Sequence, residues 1–142
     1  MSILYIDPAL ISSGWALFIK GKLDCHGTIV IEKKNCTDGK RYHKLYIAYT
    51  ILFHAKLPDE VHIEQTGGRP HHKFVKACGI IEAAGAYYGS VQDIPVSSWQ
   101  KFTDWKGERK MLEPYKDKVK SEDELSAIGM GLWHTNKKTS TK

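Results

Sequence analysis

The chain has 142 residues, 42% hydrophobic and 26% charged, with Lys and Arg outnumbering Asp and Glu by 21 to 16 for a net charge of +5. That is enough for one compact domain and too little for a separate binding module; no apolar run approaches the ~18 residues of a membrane span and no signal-peptide pattern opens the chain, so a soluble, cytoplasmic protein with no membrane partner is expected. Cys25, Cys36 and Cys78 lack CxxC or CxxH spacing, which argues against a disulfide framework or a zinc site, while the basic balance favours a polyanionic partner through counterion release.

Ile3 to Ile6 is a continuous apolar run that ends at Asp7-Pro8, as in a buried strand that stops where a carboxylate begins. Gly14 to Lys20 reads as a second strand, Gly21-Lys22 as a hairpin turn and Leu23 to Ile31 as a third, an antiparallel meander. Lys33 to Gly39 has loop composition, after which Leu45, Ala48, Tyr49, Leu52 and Phe53 recur at helical spacing up to Pro58. Glu60 to Glu64 is a short strand, Gly67-Gly68 breaks it, and Pro70 opens a helix reaching about Tyr88. Val91 to Val96 is a fifth strand, Ser98 to Thr103 a helical turn, Lys106 to Lys110 a basic loop, and a last helix starts near Ser121. The expected domain is therefore a mixed α/β arrangement over 1–135, with a polar, basic, frayed tail over 136–142.

Asp7 and Glu64 each stand at the C-terminal end of an apolar strand, and they converge if those strands are neighbours. Convergent carboxylates need cations, and hard oxygen ligands select Mg²⁺ or Mn²⁺. The purely structural alternative makes Asp7 a turn residue before Pro8. A third acid is available from Glu122, Asp123 and Glu124, although Ser121 with Glu124 fits an S-x-x-E capping box, which assigns Glu124 to the helix start. A 100° step per residue puts Ser126 between Asp123, about 60° to one side, and Glu122, about 40° to the other, so either acid is in reach of one site.

Several segments, taken in order, resemble the RuvC family of Holliday junction resolvases. Ile6-Asp7-Pro8-Ala9-Leu10 with Gly14-Trp15-Ala16 is similar to that family's opening motif, Ile63-Glu64-Gln65 to its I-E-Q motif, and Ala77-Cys78-Gly79 with Ile80, Ile81, Ala83 and Ala84 to its dimer helix. Lys101 and Lys110, with Gly107 between them, resemble lysines that approach the scissile phosphate, and Asp123 to Gly129, with His134, resembles the closing acidic motif. The resemblance implies a ribonuclease H-like mixed five-stranded sheet flanked by helices. It also implies two Mg²⁺ or Mn²⁺ ions held by Asp7, Glu64 and Asp123, Lys110 as a catalytic lysine, and cleavage of four-way junctions, forks or flaps in a bacterial or phage-infected cytoplasm; the helix geometry adds Glu122 as a helper ligand and Ser126 as a weak, neutral one. A homodimer through Ala77, Gly79, Ala83 and Ala84 would serve paired cuts. Three positions depart from the pattern: Ser126 stands at the fourth carboxylate, Ala9 at a glycine, and Gly67 where an aromatic residue often follows I-E-Q.

Gln100 to Lys142 holds ten Lys or Arg and seven Asp or Glu, with Trp99, Phe102 and Trp105 at its start, a combination suited to phosphate contact and base stacking. Lys101, Lys106, Arg109, Lys110 and Trp105 are candidate DNA contacts, as are Arg69, His72 and Lys73 in a second basic cluster that also contains His71. Trp99 is read as core, and Phe74 as core or, alternatively, a stacking residue. Competing functions are a less selective flap or single-strand nuclease and a DNA-binding relative without catalysis.

Overall fold

The computed structural model describes residues 1–65, 71–103 and 111–140, with backbone alone at 96, 97, 102 and 138–140. Five strands form one sheet: β1 (Ser2–Asp7), β2 (Ser12–Ile19), β3 (Lys22–Val30), β4 (Glu60–Gln65) and β5 (Ser90–Pro95), in the order β3-β2-β1-β4-β5. The pairs β1/β2 and β2/β3 are antiparallel, as the close spacing of three apolar runs predicts, while β1/β4 and β4/β5 are parallel. The C-terminal ends of β1, β4 and β5 therefore share one edge with the start of β2.

Residues on β1 alternate between two cores because both faces of the sheet are covered. Leu4 and Ile6, with Leu17, Val61 and Ile63, pack under α1 (Asp38–Lys56) and α2 (His72–Ala86). Ile3 and Tyr5, with Ala16, Phe18 and Ile94, pack under α3 (Val96–Thr103) and α4 (Glu122–Ser140), through Trp99, Leu125 and Ile128. The same alternation turns Asp7 toward α4.

Helix α1 begins earlier than the apolar periodicity suggests. Thr37 caps it by accepting the Lys40 N–H at 3.3 Å, and Leu57 ends it in the left-handed region at φ 45°, donating its N–H to the Phe53 carbonyl at 2.8 Å. Helix α2 starts at His72, α3 starts at Val96, and a 3-10 helix (Glu113–Lys118) with Pro114 in its first turn precedes α4. Helix α4 runs on to Ser140, so the expected break at Asn136 is helical. Among the described residues no helix is long and apolar enough to cross a membrane, and the three cysteines are unpaired.

Candidate metal centre

The site is built by a close approach of backbones. Asp7 on β1 lies opposite Gly14 on β2. A Cβ at Gly14 would stand 2.1 Å from the Asp123 carbonyl carbon and the Glu124 nitrogen, so only glycine lets the first turn of α4 rest on β2. Asp123 is thereby set beside Asp7. The parallel pairing of β1 with β4, which aligns Ile6 with Ile63, brings Glu64 to the same edge.

Asp7 lies within hydrogen-bonding reach of both Asp123 and Glu64. Two carboxyl groups bond to each other only when one carries a proton. Burial, then the charges of Glu64 and Asp123, push the Asp7 carboxyl up to about 9. Glu64 is also raised, chiefly by burial, against the opposing effect of the Trp99 indole N–H, which donates to its Oε2. Asp123 is raised by burial, with the adjoining Glu122 charge adding to it, while hydrogen bonds from Asp7 and Ser12 pull the other way.

Ser126 is buried, with its hydroxyl 3.0 Å from the Glu122 carbonyl and in reach of Asp7. Its single proton serves one of these acceptors at a time. Glu122 is exposed, and its charge beside Asp123 raises the Asp123 carboxyl.

Among the described residues, no group of three or more His, Cys, Asp or Glu side chains stands arranged to hold a metal ion. The donor chemistry nevertheless fits a hard cation. Three carboxylates whose proton affinity is raised by their own crowding gain from any positive charge placed among them, and Trp99 engages only one Glu64 oxygen. Mg²⁺ or Mn²⁺ suits such a set.

Glu124 has the structural role its position suggests. The Ser121 hydroxyl accepts the Glu124 N–H at 3.1 Å, and the Glu124 carboxylate accepts from Thr28 at 2.7 Å and pairs with His26, clamping α4 to β3. Trp99 is fully buried, as expected, but its bond to Glu64 had no signal in the sequence beyond an aromatic residue after a strand. On the same face of the sheet, the Tyr5 hydroxyl meets His134 Nδ1, the His134 ring packs tilted against His62 with centroids 4.6 Å apart, and His62 Nε2 reaches Glu60 at 2.8 Å. The alternation Glu60, His62, Glu64 is the only sequence trace of that network.

Of the candidate DNA contacts, Lys101 is exposed on α3, and His72 and Lys73 are the first two residues of α2. Arg69, Trp105, Lys106, Arg109 and Lys110 lie outside the described residues. Of the four dimer candidates, Ala77 and Ala84 are buried in the chain's own core under α2, so they are not available as a surface. Gly79 and Ala83 are exposed, and nothing lies within 4 Å of a Cβ at Gly79.

Strand order, helices on both faces and the acidic edge define a ribonuclease H-like fold of the kind found in RuvC resolvases. The chain is similar to Thermus thermophilus RuvC in complex with a Holliday junction substrate, with a TM-score of 0.80, 16% identity and coverage of 99% of this chain and 97% of that one. A second Thermus thermophilus RuvC structure gives 0.76, 15% identity and coverage of 99% and 98%. The yeast mitochondrial Holliday junction resolvase Ydc2 gives 0.60, 10% identity and coverage of 98% and 80%. No protein-family model matches the sequence, and no curated protein matches it.

Proposed function

We propose that the chain is a divalent-metal-dependent endonuclease that cuts branched DNA, four-way junctions above all, as a homodimer. The observation that carries this reading is the meeting of Asp7, Glu64 and Asp123 at one edge of a resolvase-like fold. These three residues would hold Mg²⁺ or Mn²⁺, which supply a Lewis acid and an activated water for attack on a phosphodiester. Burial keeps the three carboxylates in a weakly screened setting, so an ion placed among them would displace the shared proton and relieve their mutual repulsion. Trp99 fixes the orientation of Glu64, and Ser12 that of Asp123. Lys101 and Lys73 would meet phosphates on either side, with Lys110 the candidate for the scissile one.

The solved complex of the Thermus protein with a Holliday junction substrate supports a branched substrate. A non-catalytic DNA binder is the second reading, favoured by Ser126, which leaves the helix side of the site one carboxylate short of the resolvase pattern. Labelled junction, fork, flap and duplex DNA, incubated with and without Mg²⁺ or Mn²⁺, tests the proposal. Metal-dependent cutting of the junction is expected; preferential cutting of flaps or single strands points to the less selective nuclease, and binding without any cutting overturns the enzyme reading.

A further inference from the structure

A cavity of about 330 Å³ lies beside the acidic edge, with Ala9 to Ser12 as one wall. Across from that wall stand Lys33, from the segment between β3 and α1, Arg41 on α1, and His71, Lys73 and Phe74 at the start of α2. Ser12 belongs to both places, since its hydroxyl also bonds Asp123. A strand passing the acidic centre would therefore enter this cavity next.

Two of the three cations are held in place. The Arg41 guanidinium donates to the Cys36 carbonyl at 2.9 Å and pairs with Asp38 at 3.2 Å, and Lys73 pairs with the other oxygen of Asp38 at 3.2 Å. One carboxylate thus orients two cations, while Lys33 has no acidic partner among the described residues, which leaves the cavity positive. His71 Nδ1 accepts the Lys73 N–H at 3.2 Å, so Nε2 is the donor of the neutral ring. Phe74 is half-buried and, among the described residues, packs into neither core cluster. An aromatic face among cations, two of them fixed, matches a base above its phosphate, and the volume, near the lower end of the ~300–1,000 Å³ of small-ligand sites, suits one nucleotide rather than a duplex.

We propose that this cavity receives one unpaired nucleotide of the DNA strand beside the acidic centre, with its phosphate on Lys33, Arg41 and Lys73 and its base on Phe74. The inference rests on the nuclease reading above and adds where the strand runs. The test is anisotropy of a fluorescein-labelled oligodeoxythymidylate in EDTA, which prevents cutting. Lys33→Glu and Phe74→Leu should each weaken binding about tenfold, and Lys33→Glu should lower the salt slope by about 0.7. An abasic nucleotide scanned along the oligomer should cost the wild type affinity at one or two adjacent positions and cost Phe74→Leu nothing there. Mn²⁺ should still raise the melting temperature of both variants, because neither alters an acidic residue; that reports an intact fold. Wild-type affinity and salt slope in both variants would overturn the pocket while leaving the nuclease intact. A wild type that neither binds the oligomer nor cuts branched DNA would overturn both readings.

Discussion

Asp7 carries the largest consequence at the scale of one residue. Its carboxyl is held up to about 9 by burial and by Glu64 and Asp123, whereas in the unfolded chain it titrates near ~3.9. The folded state therefore binds a proton the unfolded state releases: the stabilisation is fully present below about pH 4 and is lost as pH rises toward 9. In EDTA, wild-type stability should fall across that window, and Asp7→Asn should flatten the slope and raise the melting temperature at pH 8 by roughly 2–4 °C per kcal/mol of repulsion relieved. Calorimetric scans at several pH values check this, and a wild-type curve as flat as the variant's would sink it. Adding Mn²⁺ should stabilise the wild type and not Asp7→Asn, and cleavage by the variant should be abolished.

At the scale of elements, the docking of α4 on β2 decides whether there is a site. Gly14→Ala puts a methyl group into the backbone of Asp123, so the helix start must lift or the sheet must bend, at about 1–3 kcal/mol or more. The expected result is a lower melting temperature together with loss of the Mn²⁺-induced shift; a Gly14→Ala protein that keeps both would show that Asp123 is not placed by this contact. The strands and the acidic edge were legible in sequence because apolar runs ending in a carboxylate carry a local signal. Other features left none. The first turn of α1 is polar, so Thr37 and its cap outweigh an absent apolar stripe. Helix α4 continues past Asn136, and the 3-10 helix at Glu113 rests on short-range geometry that composition hides. Gly14 reads as a strand glycine until the register sets it under Asp123, and Lys33 and Arg41 join Phe74 only because α1 and α2 lie side by side. The small residues of α2 misled in part, since Ala77 and Ala84 make room for the chain's own core.

At the scale of the whole molecule, paired cutting of a junction needs two sites related by symmetry. The outer face of α2 offers Gly79 and Ala83 beside Val75, 52% exposed, and Tyr87, 86% exposed. If that face joins two copies, Ala83→Arg should yield a monomer by light scattering at micromolar concentration while keeping its Mn²⁺-induced stabilisation, and should nick a junction rather than cut it in pairs. A wild type that is already monomeric, with and without DNA, would remove the dimer from the account. The order of the acidic residues along the chain bears on when the acidic centre can form. Asp7, Glu64 and Asp123 lie more than fifty residues apart from one another, and the last of them sits on the helix that closes the second core. During synthesis the earlier strands emerge and can begin to pair before α4 exists. A nascent or partly degraded chain lacking that helix thus has an open apolar face and two carboxylates without their third, so the acidic centre is completed as the last act of folding and is undone with the first loss of it.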